Sequence, residues 1–294
     1  YRRQRQMCIR DSLEGENGWQ YHSTVEFRQR LEEFLASPET HEALKRRAAE
    51  SAEQFSAQRF AQRVERIYQM QLARRAAKVA AIELDRTLYP ILAETLAPYP
   101  NAEVVPGDAM KLDLAALVSD KFSGLTAIAC ANLPYNITTP VLTALIEAGC
   151  FASITVMIQR EVALRICAAP GSSDYGAFSV FCQYHTQPEL LFEVGPECFL
   201  PAPKVTSAVI RLVPRSAPPQ NLVDDSFFFQ VVRASFAQRR KTLLNGLSSA
   251  FGSRLSKDAL RGAIEAAGLP ADIRGERLGI PEFATLASAL QNRL

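Results

Sequence analysis

Hydrophobic and polar positions divide the chain into stretches of different texture. From Thr24 to about Gln71 the apolar spacing is helical: Phe27, Leu31 and Leu35 stand at i, i+4 and i+8, with Phe34 beside the last. The break Ser37-Pro38-Glu39-Thr40 offers a cap and an early proline, and Phe55, Phe60, Val64 and Tyr68 mark a second stripe. From about Lys78 short β-branched runs alternate with helical stretches. Strands are predicted at 79–84, 102–105, 125–131, 153–158, 177–184, 190–194 and 207–213, and helices at 86–96, 112–119, 139–148 and 161–168. Apolar strands alternating with helices imply an α/β fold, a mostly parallel sheet covered on both faces. The last adjacent strands suggest an antiparallel hairpin at one edge.

Pro214-Arg-Ser-Ala-Pro-Pro219 reads as a linker. Beyond it, residues 224–236, 239–249, 257–267 and 281–291 read as helices of a small all-α domain, with Gly268 and Gly279 at helix ends or turns. Charge sharpens this division. Residues 230–294 carry 10 basic and 5 acidic side chains, whereas residues 73–229 carry 11 and 15. A basic tail behind a mildly acidic body suggests that the C-terminal part holds a polyanion; a solvated helical surface is the alternative from charge alone. With 48% hydrophobic residues in 294, a packed core is expected, and no run of eighteen or so apolar residues suggests a membrane span. The six cysteines, at 8, 130, 150, 167, 182 and 198, form no Cys-x-x-Cys pair and only three histidines accompany them. They read as reduced, small hydrophobes of a cytoplasmic protein, with no metal site. Nothing in the pattern asks for more than a monomer.

The strongest local signal is Asn132-Leu133-Pro134-Tyr135, directly after a predicted strand. It falls at a strand's carboxyl end, where open α/β sheets bind ligands. An exocyclic adenine amine is a poor nucleophile because its lone pair is delocalised into the ring. A site that accepts hydrogen bonds from both N–H groups favours a more tetrahedral nitrogen and frees that pair. The Asn132 side-chain oxygen and a backbone carbonyl near Leu133 or Pro134 can supply the acceptors, and proline restricts the turn. Tyr135 can stack on the base. Without that chemistry the same four residues are a turn with a buried tyrosine.

The stretch Asn132-Leu-Pro-Tyr-Asn-Ile-Thr-Thr-Pro140 resembles the catalytic motif of the ribosomal RNA small-subunit adenine-N6 dimethyltransferases. Phe199-Leu-Pro-Ala-Pro-Lys204-Val-Thr-Ser-Ala-Val209 resembles the same family's target-base loop, and Phe236-Ala-Gln-Arg239-Arg240-Lys241-Thr-Leu243 its C-terminal signature. The likeness runs from about residue 72 to 294. It implies a Rossmann-like class I methyltransferase sheet over 72–215, a helical RNA-binding domain over 222–294, and S-adenosyl-L-methionine as methyl donor. It implies small-subunit ribosomal RNA, or a pre-ribosomal small subunit, as partner. By the same resemblance Glu83, with Leu84 beside it, matches the acid that binds the donor's ribose, and Asp108, with Ala109, the residue at its adenine. Asn132 matches a residue near both donor and target amine, and Phe199 the ring that sandwiches the flipped adenine against Tyr135. Lys204, Arg239, Arg240 and Lys241 are expected to meet phosphates. Taken alone, Glu83 reads as a solvated strand end, Asp108 as a cap or turn residue, and Arg160-Glu161 as a structural pair.

The pattern is broken at its start. The family's first strand ends in a Glu-x-Gly-x-Gly loop whose amides approach the donor, yet before Lys78 the only glycines are Gly15 and Gly18. That strand would lie between the strands beginning near Val79 and Leu125, leaving two edges without their partner. Residues 1–12 resemble an assembly scar, and the helical run within 13–71 resembles the closing helices of two-domain glycosyltransferases without their sugar-nucleotide residues. A composite chain is the reading, with a catalytically inactive RNA-binding remnant as the alternative to an active enzyme.

Overall fold

A computed structural model describes residues 72–73, 75–199, 203–217, 224–238 and 241–294. The expectations for residues 1–71, for Arg239 and Arg240, and for the tip of the target-base loop at 200–202 lie outside the described residues. Contacts divide the described chain into two compact units. One holds residues 72–81 and 85–105; the other holds Ile82–Leu84 and Pro106–Leu294.

The smaller unit is organised by Asn101. Its side-chain amide donates to the carbonyls of Ala73 and Ala76, both at 2.8 Å, while its own carbonyl accepts from Val79 N at 2.8 Å. Strand β1 (Val79–Glu83) pairs with β2 (Ala102–Pro106) in a two-stranded sheet. Between them, Asp85 accepts from Thr87 N to open a single turn, and helix α1 (Tyr89–Leu96) follows with Pro90 at its start, where a missing N–H costs nothing.

In the larger unit, helix α2 (Leu114–Lys121) is capped by Asp113, and β3 (Ile128–Asn132) leads through the 132–135 turn to α3 (Thr138–Glu147). Then come β4 (Ser153–Gln159), α4 (Arg160–Cys167), α5 (Ala177–His185), β5 (Thr186–Val194) and β6 (Ser207–Pro214). The four strands form one sheet in the order β3-β4-β6-β5. β3 and β4 are parallel, and β6 is antiparallel to both β4 and β5. This is the α/β sheet with an antiparallel pair at one edge that the pattern predicts. The core lies beneath it: Leu142, Ile154, Ile158, Ala163, Ile166, Cys182, Ile210 and Leu212 are all fully buried. β5 is the outer strand, and it carries the marks of an edge: Pro188, a register shift between Leu190 and Phe192, and the exposed cross-strand pair Glu189–Arg211.

One predicted strand is a helix. Residues 177–184 are mostly apolar, broken only by Ser179 and Gln183, a pattern that a short buried helix and a buried strand share. Tertiary hydrogen bonds decide it. The Ser179 hydroxyl accepts from Gly176 N and donates to Arg165 O, and the Gln183 amide donates to Ile166 O and Ala168 O. Other boundaries move by a few residues: the strand predicted from Leu125 starts at Ile128, and the helix predicted from Arg239 starts at Leu243.

The tail forms α6 (Asp225–Phe236), α7 (Leu243–Phe251), α8 (Lys257–Ala266) and α9 (Ile280–Gln291) around Phe228, Val231, Leu247, Leu260, Phe283 and Leu286. The α6–α7 approach is set by Gly246, where an added Cβ would stand 2.5 Å from the Ala234 carbonyl oxygen. This core continues into α5. Tyr184 donates to Asp225 Oδ1 at 2.9 Å, and Tyr184, His185, Phe228 and Phe229 pack ring against ring at 5.1–5.5 Å between centroids. The first part of the expected linker is strapped down, since Arg215 donates from its backbone to His185 O and from Nε to Gln183 O.

Two predictions follow from this packing. Leu133 N donates to Met157 O and Ala127 O accepts from Ala152 N, so the odd-numbered residues of β3 face β4. The backbone groups of Ile128, Cys130 and Asn132 therefore face the other side, where among the described residues β3 has no partner. Amide hydrogen exchange should alternate along the strand, roughly tenfold faster at 128, 130 and 132 than at 129, 131 and 133; uniform protection would show a second partner. Burial among the rings holds the His185 pKa below its ordinary 6.5, against opposition from Asp225 and Glu147. The unfolded chain then binds the proton more tightly, so this contribution to stability is complete above pH about 6.5 and is lost as pH falls below it. Urea midpoints measured from pH 7.5 to 5 should fall in the native protein and fall less in His185→Phe.

Candidate active site

The site is built where four strand ends meet. β3 and β4 run parallel, so both end on the same side of the sheet. β6 starts there, because Ser207 is registered against Gln159 at the end of β4 and against Val194 at the end of β5. The two loops that the sequence singled out therefore leave from one rim.

Asn132 is the last residue of β3 and is exposed. Leu133 turns its side chain into the core, 6% exposed, while its N–H closes the ladder to Met157 O. Pro134 has φ −58° and ψ 133°, and its carbonyl accepts twice, from Ile137 N and from the Thr138 hydroxyl, both at 3.1 Å. Both its lone pairs are thus engaged by the turn itself. Tyr135 is half-buried, and its hydroxyl lies 2.6 Å from the hydroxyl of Ser207, which is fully buried. The turn is held at each end, by a ladder bond and by a side-chain bond to the adjoining strand.

The second loop leaves β5 at Val194. A single turn at Pro196–Cys198 places Phe199, half-buried, with its N–H on Pro196 O. Lys204, on the return to β6, is exposed. Among the described residues, ring pairs do not include Tyr135 with Phe199; a base held between two rings would keep them apart. Arg160 corrects an expectation here. Its Nε donates to Glu193 Oε1 at 2.6 Å, not to Glu161, and its N–H donates to Thr206 O. Adjacent residues on a helix point apart, whereas the strand order brings the end of β5 within reach. This ion pair ties the loop's base to the rim, and both its partners are near half exposed, so its energetic worth is at most about 1 kcal/mol.

Glu83 closes β1. Its carbonyl accepts from Gly107 N at 2.9 Å, which sets the Glu83–Leu84 end beside the Gly107–Ala109 turn. Gly107 has φ +156°, and an added Cβ would meet Leu112 at 3.2 Å, so the turn requires glycine. Leu84 is 67% exposed, an apolar side chain with no core to enter. Asp108 folds back: Oδ1 accepts from Met110 N at 3.0 Å, and Lys111 Nζ lies 3.8 Å from Oδ2. Of the expected phosphate contacts, Lys241 is described and exposed, just before Thr242, the residue ahead of α7.

Sequence reasoning assigned no role to Ser207 or Thr138, although both fall within the quoted motifs. A hydroxyl at the head of an otherwise apolar strand was the available signal for Ser207. Among the described residues no group of His, Cys, Asp and Glu could hold a metal ion, and no helix is long and apolar enough to cross a membrane.

A family model for ribosomal RNA adenine dimethylase matches residues 67–267. A ribosomal RNA small subunit methyltransferase A from Geobacillus sp. (strain WCH70) is 45% identical over 227 residues, 76% of this chain and 78% of that protein. Its counterpart from Bacillus mycoides (strain KBAB4) is 47% identical over 223 residues, 75% and 76% of the two chains. Among solved structures, a dimethyladenosine transferase from Plasmodium falciparum superposes with a TM-score of 0.62 and the 23S rRNA methyltransferase ErmE with 0.56. Each is 23% identical and covers 76% of this chain and 85% of its own; both share the fold.

Asp108 separates a structural from a chemical role. Asp108→Asn keeps the oxygen that caps Met110 N and should leave thermal stability within about 0.5 kcal/mol of native, whereas Asp108→Ala should lose about 1 kcal/mol. Equal stability of the two variants in a thermal melt would remove the cap from the account.

Proposed function

The chain belongs to the ribosomal RNA adenine dimethylase family, and on that premise we propose that its rim is built to methylate N6 of adenines in small-subunit ribosomal RNA, twice on each target. The observation that carries this is the 132–135 turn, held at the end of β3 with one acceptor side chain and one backbone carbonyl left unengaged among the described residues.

The acceptor pair is Asn132 Oδ1 and the Leu133 carbonyl. Of the two carbonyls the sequence left open, that of Pro134 is already doubly engaged by Ile137 and Thr138. Two fixed acceptors aimed at one amine disfavour its planar, delocalised form and free its lone pair for in-line attack on a methyl group. Leu133 is well suited to this: its side chain is locked in the core and its N–H in the ladder. Tyr135 and Phe199 offer faces to a base that must leave its stack to be reached, with stacking worth about 1–3 kcal/mol. No covalent bond to the protein is needed.

The family's methyl donor is S-adenosyl-L-methionine. The residues at the carboxyl end of β1 fit such a group in kind: a carboxylate for a ribose diol at Glu83, an exposed apolar side chain for a purine face at Leu84, and a glycine-dependent turn at Gly107–Ala109. When bound, the donor supplies a methyl group already activated on a sulfonium. Lys204, Arg239, Arg240 and Lys241 would neutralise phosphates without reading bases, and residues 222–294 would form the RNA-holding part. A small-subunit ribosomal RNA or its precursor particle is the partner in this reading, which places the chain in the cytoplasm, as a monomer.

A second reading has its own support: an RNA-binding remnant with weak or no donor binding. No Glu-x-Gly-x-Gly run precedes β1 in the sequence, and β3 offers an open edge among the described residues. The two readings part in one experiment. The chain is titrated with S-adenosylmethionine by calorimetry, then assayed with tritiated donor and small-subunit particles lacking the methyl groups. Micromolar binding with methyl transfer, cut roughly 100-fold in Asn132→Ala, supports the methyltransferase. Equal transfer by Asn132→Ala rejects the acceptor role, and RNA binding without donor binding favours the remnant.

A further inference from the structure

Ser207 stands at the head of β6 with its backbone registered on both sides, against Gln159 of β4 and Val194 of β5. Its side chain is fully buried, and its hydroxyl reaches one partner 72 residues away, the phenol of Tyr135, at 2.6 Å. Strand registers immobilise Ser207, so the bond transfers the position of the sheet to the far end of an aromatic ring. The ring's near end is already fixed by the turn, through Leu133 N on Met157 O and the double engagement of Pro134 O. A half-buried tyrosine held at only one end can swing about its first side-chain torsion. Held at both, it keeps one axis.

We infer that Ser207 is a positioning residue for Tyr135: it holds the phenol so that the ring's axis is fixed where it meets the target adenine. The inference rests on the reading that Tyr135 stacks on the target base. Ser207 itself touches no substrate; it acts through the ring. The same bond links the adenine-facing turn to the strand entered from the Phe199 loop, so the two halves of the base site share one anchor.

The test uses the full chain and a short single-stranded RNA with 2-aminopurine flanked by uridines, whose fluorescence is quenched by stacking on an aromatic ring. Ser207→Ala should weaken binding about fivefold and reduce the bound-state quench, with the slope of log K against log salt unchanged because phosphate contacts are untouched. Tyr135→Phe keeps the ring and loses the bond from the other side. It should match Ser207→Ala, and the double variant should be no worse than either, the signature of one shared interaction. Should Ser207→Ala fail to fold, Tyr135→Phe carries the same expectation, and Ser207→Thr, which keeps a hydroxyl, should recover most of the quench. A Ser207→Ala protein with native quench, while Tyr135→Ala abolishes it, would overturn the positioning role and leave the stacking role standing. Native quench in Tyr135→Ala, or no RNA binding by the native chain, would overturn the stacking reading and this inference with it.

Discussion

The antiparallel insertion of β6 between β4 and β5 is the constraint from which the site follows. In a wholly parallel sheet, successive strands end on one side and begin on the other. Here one strand begins where its neighbours end, so Gln159, Val194 and Ser207 are brought level. Two loops with no shared sequence then open on the same rim, one carrying Asn132 to Tyr135 and the other Phe199 and Lys204. The Tyr135–Ser207 and Arg160–Glu193 bonds become possible only after that register exists. Their energies are modest beside the burial of Ile154, Ile158, Ile210 and Leu212 beneath them. The apolar core makes the sheet, and the polar bonds at its rim choose among the orientations that the core allows.

The same division of labour joins the sheet to the helical tail. α5 belongs to both cores: Cys182 is buried with the sheet, and Val180 and Tyr184 with the tail helices. The bond of its Tyr184 hydroxyl to Asp225 satisfies a polar group that would otherwise be costly among three neighbouring aromatic rings. The tail helices, with Lys241 just ahead of α7, have packing continuous with α5, and through Ser179 and Gln183 with α4. The tail is therefore not a tethered appendage; through α5 it is packed against the sheet.

How much of this was legible beforehand depended on whether the information was local. The turn at Asn132 to Tyr135 could be placed because its residues are consecutive and close a short apolar run that reads as a strand. The α/β alternation and the antiparallel edge were legible for the same reason. Residues 177–184 were misread as a strand because a short helix with apolar residues around its whole circumference has no polar face to betray its period. Arg160 was given the neighbouring acid, since sequence shows only neighbours; Glu193 becomes a neighbour through strand order. The Ser207–Tyr135 bond spans 72 residues and depends on register, which no single-strand pattern encodes. Of the two candidate carbonyls, only the hydrogen-bond inventory of the turn distinguishes Leu133 from Pro134.

The bonding pattern also separates the two halves of the chemistry. Of the groups proposed to face the base, Leu133 is fixed by Met157, Tyr135 by Ser207, and the base of the Phe199 loop by the Arg160–Glu193 pair. None of these bonds uses the open side of β3. The groups proposed for the donor rest on other supports: the β1–β2 pairing, the Gly107 N–H on the Glu83 carbonyl, and the internal bonds of the 107–112 turn. A chain that recognises an unstacked adenine but holds its methyl donor poorly would need no distortion of the rim. The two functional readings differ in the strength of one half of the site and share the geometry of the other.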